Sequence, residues 1–272
     1  MIRSPFKELP REVSILIAAS FFVAVGFGIV MPAIPVFAKS FGVNNAAIGL
    51  MVSAFAITRF SSGLISGALV DRFGERAVFS TGVIMVSLFT FLAGIAQTYG
   101  QLLFFRAAGG LGSSMFSVAA SSVILRSVSD DQRGQAQSVY QGSFIVGGMA
   151  GPAIGGLLSV ISLRAPFFVY SILLFCSGLV ALFFLKGESI GAKVKNSSSE
   201  PATTIREALA MPPYRIALVL AFIGSWVFFG MRASILPVFV TEELGSTTAI
   251  VGYGLAITAM VQGAILLRAG RY

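Results

Sequence analysis

Eight long apolar segments follow one another along this chain of 272 residues. They lie near 13–37, 46–69, 77–97, 99–125, 136–161, 166–185, 214–240 and 248–268. About 20 apolar residues in a helix cross the hydrocarbon core of a bilayer. Inside lipid the backbone must satisfy its own polar groups, so runs of this kind fold as helices packed against one another. The chain therefore reads as an all-α, multi-pass membrane protein. Only 11% of its residues are charged, against about 25% in an ordinary soluble domain, which is too few to cover a water-facing surface. The first segment is too long for a signal-peptide core and lacks a small-residue cleavage site, so it is expected to be retained.

The net charge of +8 is sorted by side rather than clustered. With the N-terminus in the cytoplasm, only Lys39 and Arg164 fall in external loops. Arg59, Arg106 and Arg232 fall inside spans, and every other one of the 19 lysines and arginines lies in a cytoplasmic segment. That is the positive-inside pattern. It points to a lipid bilayer, the plasma (inner) membrane, as the partner, and not to nucleic acid. The chain has no histidine, and its one cysteine, Cys176, sits in an apolar run. Imidazole catalysis, histidine-ligated metal and an intrachain disulfide are thereby excluded. No two carboxylates share a span for acid–base work, so an enzyme, a resident metal and a cofactor are not expected.

The polar stretch 186–213, with its serine run and proline pair, reads as a cytoplasmic linker holding a short amphipathic helix near 203–211. It divides a six-helix bundle, 1–185, from a partial second bundle, 214–272. The two parts are related. At an offset of 202 residues, Phe27, Gly28, Pro35, Val36 and Phe37 meet Phe229, Gly230, Pro237, Val238 and Phe239. Both copies start inside and end outside, as parallel repeats do. The counterpart of Asp71 would fall just past Tyr272. The second bundle is thus expected to lack four helices, and the chain to be truncated at its C-terminal end.

Three motifs carry more specific information. The turn between spans 2 and 3 reads GALVDRFGER. Gly67 there would permit close helix contact, Gly74 a tight turn, and Asp71 with Arg72 and Arg76 would place charge at the cytoplasmic face. Span 4 reads LLFFRAAGGLGSS, with Leu102, Arg106, Gly110 and Gly112 at fixed spacing. Arg106 lies about 10 Å into its span, where it either faces a wet interior or snorkels to the outer interface. Span 5 reads GGMAGPAIGGLL. Gly147 and Gly151 would form a GxxxG packing surface, and Pro152 would remove a backbone donor and kink the helix.

Together these residues resemble the major facilitator superfamily. Gly67, Leu69, Asp71, Arg72, Gly74 and Arg76 match its G-x-L-x-D-R-x-G-x-R signature, and Arg106, Gly110 and Gly112 its span 4 pattern. Gly147, Gly151, Pro152, Gly155, Gly156 and Leu158 resemble the motif of its antiporter branch, above all the drug:proton antiporters. The resemblance implies twelve helices in two bundles around one central substrate site, and a monomer if full length. The implied activity is efflux of small solutes by alternating access with proton antiport, as in multidrug resistance. A cytoplasmic gate would be formed by Asp71, Arg72 and Arg76. An importer or facilitator of the same superfamily, or a non-transporting fragment, stay as alternatives. One departure is plain: none of the 11 acids falls within an expected span, whereas proton coupling usually employs an intramembrane carboxylate.

The cavity candidates are Arg59, Arg106, Gln141, Trp226, Arg232 and Gln262. Arg59 lies about 15–20 Å from either end of its span, too deep to snorkel easily, and is either a functional cation or a structural hydrogen-bond donor. Arg232 could attract an anion in the cavity or pair with Glu242 or Glu243. Trp226 faces the cavity or packs.

Overall fold

The computed structural model describes residues 10–185 and 204–227, together with isolated positions between 239 and 265. The chain divides into two compact units, Met1–Val194 with Gly263–Tyr272, and Lys195–Gln262. Each is considered by itself.

In the first unit the apolar runs become α1 (Arg11–Val30), α2 (Ala33–Lys39), α3 (Asn45–Ser61), α4 (Gly63–Phe73), α5 (Glu75–Gly94), α6 (Tyr99–Ser127), α7 (Arg133–Ile161) and α8 (Ala165–Phe184). A short 3-10 turn, Asp130–Gln132, precedes α7. Among the described residues, five helical segments are long and apolar enough to cross a membrane, α1 and α2 counting as one. The α3–α4 pair forms a sixth span, bent by 45°. The six expected spans of the first bundle are therefore present, most of them longer by a few residues.

Local chemistry accounts for the breaks. Pro32 and Pro35 lack donors, and their rings crowd the carbonyls four residues back, so the chain pauses between α1 and α2. Asn44 caps α3 by accepting from the Ala47 amide at 3.0 Å, and Thr98 caps α6 by accepting from the Gln101 amide at 3.2 Å. The bend between α3 and α4 has serines on both sides. The Ser62 hydroxyl donates to the Thr58 carbonyl at 2.7 Å, and the Ser66 hydroxyl to the Ser62 carbonyl at 2.8 Å. Back-bonding of this kind competes with the helix ladder and bends it. Pro152, expected to kink its helix, lies inside α7, which runs unbroken over 29 residues.

The helices pack most closely in two pairs, α1 with α7 and α5 with α6. Lipid tails are as apolar as leucine, so small residues and hydrogen bonds must hold such a bundle together. Both are in place. The Ser177 hydroxyl of α8 donates to the Ala19 carbonyl of α1 at 2.9 Å, and that of Ser87 in α5 to the Ser171 carbonyl of α8 at 2.7 Å. Tyr99 reaches the Ala47 carbonyl at 2.7 Å. Leu16, Phe79, Leu102, Ile124, Phe167 and Leu174 fill the buried core, while Phe60, Leu64, Phe104 and Val160 are exposed.

In the second unit α9 (Ile205–Ala210) and α10 (Pro212–Ser225) are described. The short linker helix expected near 203–211 is thus present as α9. Thr204 and Glu207 close a capping box: the Thr204 amide donates to Glu207 Oε2 at 2.7 Å, and the Glu207 amide to Thr204 Oγ1 at 3.3 Å. The first of these bonds chiefly, with help from the Thr204 hydroxyl, holds the exposed Glu207 carboxyl below its ordinary pKa. The expected span 248–268, and the expected span 214–240 beyond Val227, fall mostly outside the described residues.

Candidate functional site

The α4–α5 turn builds a compact ionic cluster. Gly74 sits at φ 81°, a left-handed conformation that glycine adopts without steric cost, and it ends α4 and starts α5 in one residue. Asp71 and Glu75 are thereby aimed at one arginine on α6. Arg126 donates to Glu75 Oε1 at 2.6 Å and to Asp71 Oδ1 at 3.3 Å, and the Ser122 hydroxyl adds a third bond, to Glu75 at 3.0 Å. Arg76 Nε donates to the Leu182 carbonyl of α8 at 2.7 Å. Arg72 is exposed, 5.2 Å from the Phe73 ring centroid.

One expectation changes here. The hydropathy pattern starts the third span near residue 77, which leaves Glu75 outside it; the helix begins at Glu75 and buries it to 2% exposure. Gly67 is expected to allow close helix contact. A Cβ placed there would meet nothing within 4 Å among the described residues. Leu69, the remaining member of the motif, is half-buried against the core.

On α6 the motif residues serve three different neighbours. Arg106 is 8% exposed, with its guanidinium carbon 4.6 Å from the Phe55 ring centroid on α3. It faces inward and does not snorkel. A Cβ on Gly110 would lie 2.6 Å from the Phe55 carbonyl, and one on Gly112 would lie 2.5 Å from the Gly82 carbonyl of α5. The side chain of Ser114 meets that of Ser66 on α4 at 3.1 Å.

The glycines of α7 fall on two faces. Gly147, Gly151 and Gly155 are buried against α1. A Cβ on Gly147 would lie 2.9 Å from the Phe21 carbonyl, one on Gly151 2.5 Å from the Ile29 nitrogen, and one on Gly155 would collide with the Ile29 carbonyl. Gly28 answers from α1, where a Cβ would lie 2.7 Å from the Gly148 carbonyl. Pro152 and Gly156 are exposed on a second face, about 100° round the helix, and a Cβ on Gly156 would meet nothing within 4 Å among the described residues.

Of the cavity candidates, the structure brings Arg59 and Arg106 together along the α3–α6 contact. Arg59 is exposed on α3, and its backbone nitrogen lies 3.1 Å from a Cβ placed on Gly110. Gln141 is exposed on α7. Trp226 and Gln262 belong to the second unit, where Trp226 is 64% exposed and its ring centroid is 6.2 Å from that of Phe222. Arg232 lies outside the described residues.

The sequence matches the Major Facilitator Superfamily over residues 16–272. The chain belongs to that superfamily. Among its curated relatives, Multidrug efflux protein YfmO of Bacillus subtilis is 28% identical over 262 residues, covering 96% of this chain and 65% of the relative. Multidrug resistance protein 2 of the same organism is 24% identical over 259 residues, covering 92% of this chain and 64% of the relative. This chain thus spans less than two-thirds of the length of either relative. A crystal structure of the human organic anion transporter MFSD10 shares the fold, with a TM-score of 0.78 at 17% identity, over 96% of this chain and 72% of that one.

Within this Major Facilitator Superfamily fold, sequence reasoning missed Glu75, Ser122 and Arg126 as one cluster, and Phe55 as the ring under Arg106. A signal existed for the first. Glu75 sits one residue from the end of the D-R-x-G-x-R turn, and a carboxylate so close to an apolar span needs a cation. No pattern in the sequence pairs Phe55 with Arg106.

Proposed function

We propose that this chain forms part or all of a secondary transporter that exports small solutes across the plasma membrane by alternating access, with protons as the counter-ion. Its N-terminus would lie in the cytoplasm. One observation carries the reading: α7 has two glycine faces, one locked backbone-to-backbone on α1 and one left open. A rocking bundle needs a rigid interior and a smooth outer face to slide on. Relatives named for multidrug efflux support the same direction. The ion cluster of Asp71, Glu75 and Arg126 would then sit at the cytoplasmic gate, tying α4 and α5 to α6, with Arg72 and Arg76 beside it. No chemistry on the substrate is proposed.

The test is flux in vesicles reconstituted with this chain, carrying a labelled dye under an imposed proton gradient. Dye should move against the direction of proton entry, and collapse of the gradient should stop it. Flux that ignores the gradient would remove proton coupling. The carboxylates of the first bundle lie at its helix ends and none in mid-span, which favours a second reading, a facilitator or importer of the same superfamily. That reading predicts dye movement down its own gradient, in either direction.

A further inference from the structure

We infer that the first bundle holds a binding site for an amphiphilic organic anion, built on Arg59 and Arg106. The inference deepens the transport reading, on which it rests for the word substrate.

A cation in a membrane span is costly and is normally paired or hydrated. Arg106 is 8% exposed, and its Nε is buried without a hydrogen-bond partner. Neither Arg106 nor Arg59 has an ion pair among the described residues. Asp71 and Glu75, the acids nearest in sequence to Arg59, are already engaged by Arg126 at the far end of α4 and the start of α5. No acid of the chain falls within an expected span to serve instead.

The two arginines are held in register. Arg106 lies over Phe55, and Gly110, one turn further along α6, is seated against Phe55 and Arg59. Phe55 and Arg59 are themselves one turn apart on α3, so the backbone position of Arg59 is offset by about 6 Å along that helix from the residue that Arg106 covers. Gly110 is what permits this, since a side chain there would strike the Phe55 carbonyl. Stacking on Phe55 steadies the Arg106 guanidinium and leaves N–H groups to donate in its plane. Tyr140 of α7 and Tyr170 of α8, both buried, lie within electrostatic reach of Arg59, and Tyr170 also of Arg106. Their rings add apolar surface beside the two arginines, and each carries a neutral phenol.

Two unpaired guanidiniums, two phenols and a phenylalanine ring form a donor-rich, acceptor-poor site. It suits a carboxylate or sulfonate on an aromatic body. It disfavours an organic cation, which would meet like charge with no carboxylate to offset it.

The discriminating pair of probes is naphthalene-2-sulfonate and 2-naphthylmethylammonium, which share a ring and differ in charge. Binding is measured calorimetrically on the whole chain in phosphatidylcholine nanodiscs. The sulfonate should bind about tenfold more tightly than the ammonium, and R59Q or R106Q should each cost about tenfold in sulfonate affinity while changing ammonium affinity less than about twofold. R106K should keep part of the affinity, because it retains charge without the planar fork. Equal binding of both probes, tighter binding of the ammonium, or sulfonate binding indifferent to both variants overturns the inference. R59Q, at an exposed position, decides the matter if R106Q fails to reach the membrane. Counterflow in vesicles separates the two readings. Arginine-dependent sulfonate binding with no flux of either probe sinks transport and leaves the site, whereas ammonium flux without sulfonate binding does the reverse.

Discussion

The two glycine faces of α7 are one residue out of phase and behave as different materials. Gly147, Gly151 and Gly155 touch the backbone of α1, while Gly156, next to Gly155, touches nothing among the described residues. In the first case the absence of a side chain is a structural necessity. In the second it leaves a gap between exposed apolar side chains, Leu157 and Val160 among them. A pattern of small residues thus carries two messages, and only the partner helix tells them apart. The same contrast recurs at the α4–α5 turn. Glu75 and Asp71 share Arg126, yet the Glu75 side chain is 2% exposed and that of Asp71 is 73% exposed.

The strongest way to break the comparison is to enlarge adjacent glycines. Gly155→Val should push α1 and α7 apart at a cost of about 3 kcal/mol or more, since overpacking falls on backbone atoms that cannot rotate away. Gly156→Val should cost less than about 0.5 kcal/mol. Thermal unfolding of the two variants in detergent checks this; equal losses would erase the distinction between the faces. Next in size is the acid pair. Glu75→Ala should cost about 2 kcal/mol, because it removes a buried, charge-assisted bond and leaves Arg126 to find water. Asp71→Ala should cost roughly 0.5 kcal/mol, as exposed pairs do. A denaturation series that ranks Asp71 above Glu75 would reverse the assignment of the buried anchor.

Pro152→Ala sharpens the comparison functionally. Pro152 lies on the open face, so the variant should insert and unfold like the parent while its flux in vesicles falls; unchanged flux would deny the open face a part in transport. The smallest effect belongs to α9, whose capping box is the exposed counterpart of these buried contacts. The Glu207 carboxyl has a lowered pKa in the folded chain, so its contribution is present above the ordinary glutamate range. It is lost as pH falls through the lowered value. Amide exchange across 205–210 should therefore quicken on acidification in the parent and be pH-flat in Glu207→Gln; identical profiles would show that the box does not hold α9.

Much of this architecture is legible in the chain because its signals are local. Hydropathy over about 20 residues locates the six spans that hold α1 to α8, and the spacing of Gly147, Gly151 and Gly155 announces a face of small residues. The cost of charge in lipid leaves Arg106 two outlets, inward or toward the interface, and the structure takes the inward one. What is not legible depends on distant partners. Spacing cannot say that the Gly151 face meets Ile29, that Phe55 lies under Arg106, or that Glu75 finds Arg126 from 51 residues away. Gly67 belongs with these, since a Cβ there meets nothing among the described residues and its spacing names no partner. The 45° bend falls between, since Ser61, Ser62 and Gly63 hint at a weak point but not at its angle.

The meeting of Gly28 with Gly151 also bears on how this bundle can change over evolutionary time. When two ordinary side chains touch, growth of one is compensated by shrinkage of the other, and the pair drifts together. Here both partners are already the smallest residue available. A substitution at either position has no reciprocal escape at the other, so the two sites should behave in a mutational library as a single locus with one permitted state. Suppressors of a Gly151 variant should arise where α1 can be displaced, for instance at the Pro32–Pro35 break, and not at position 28.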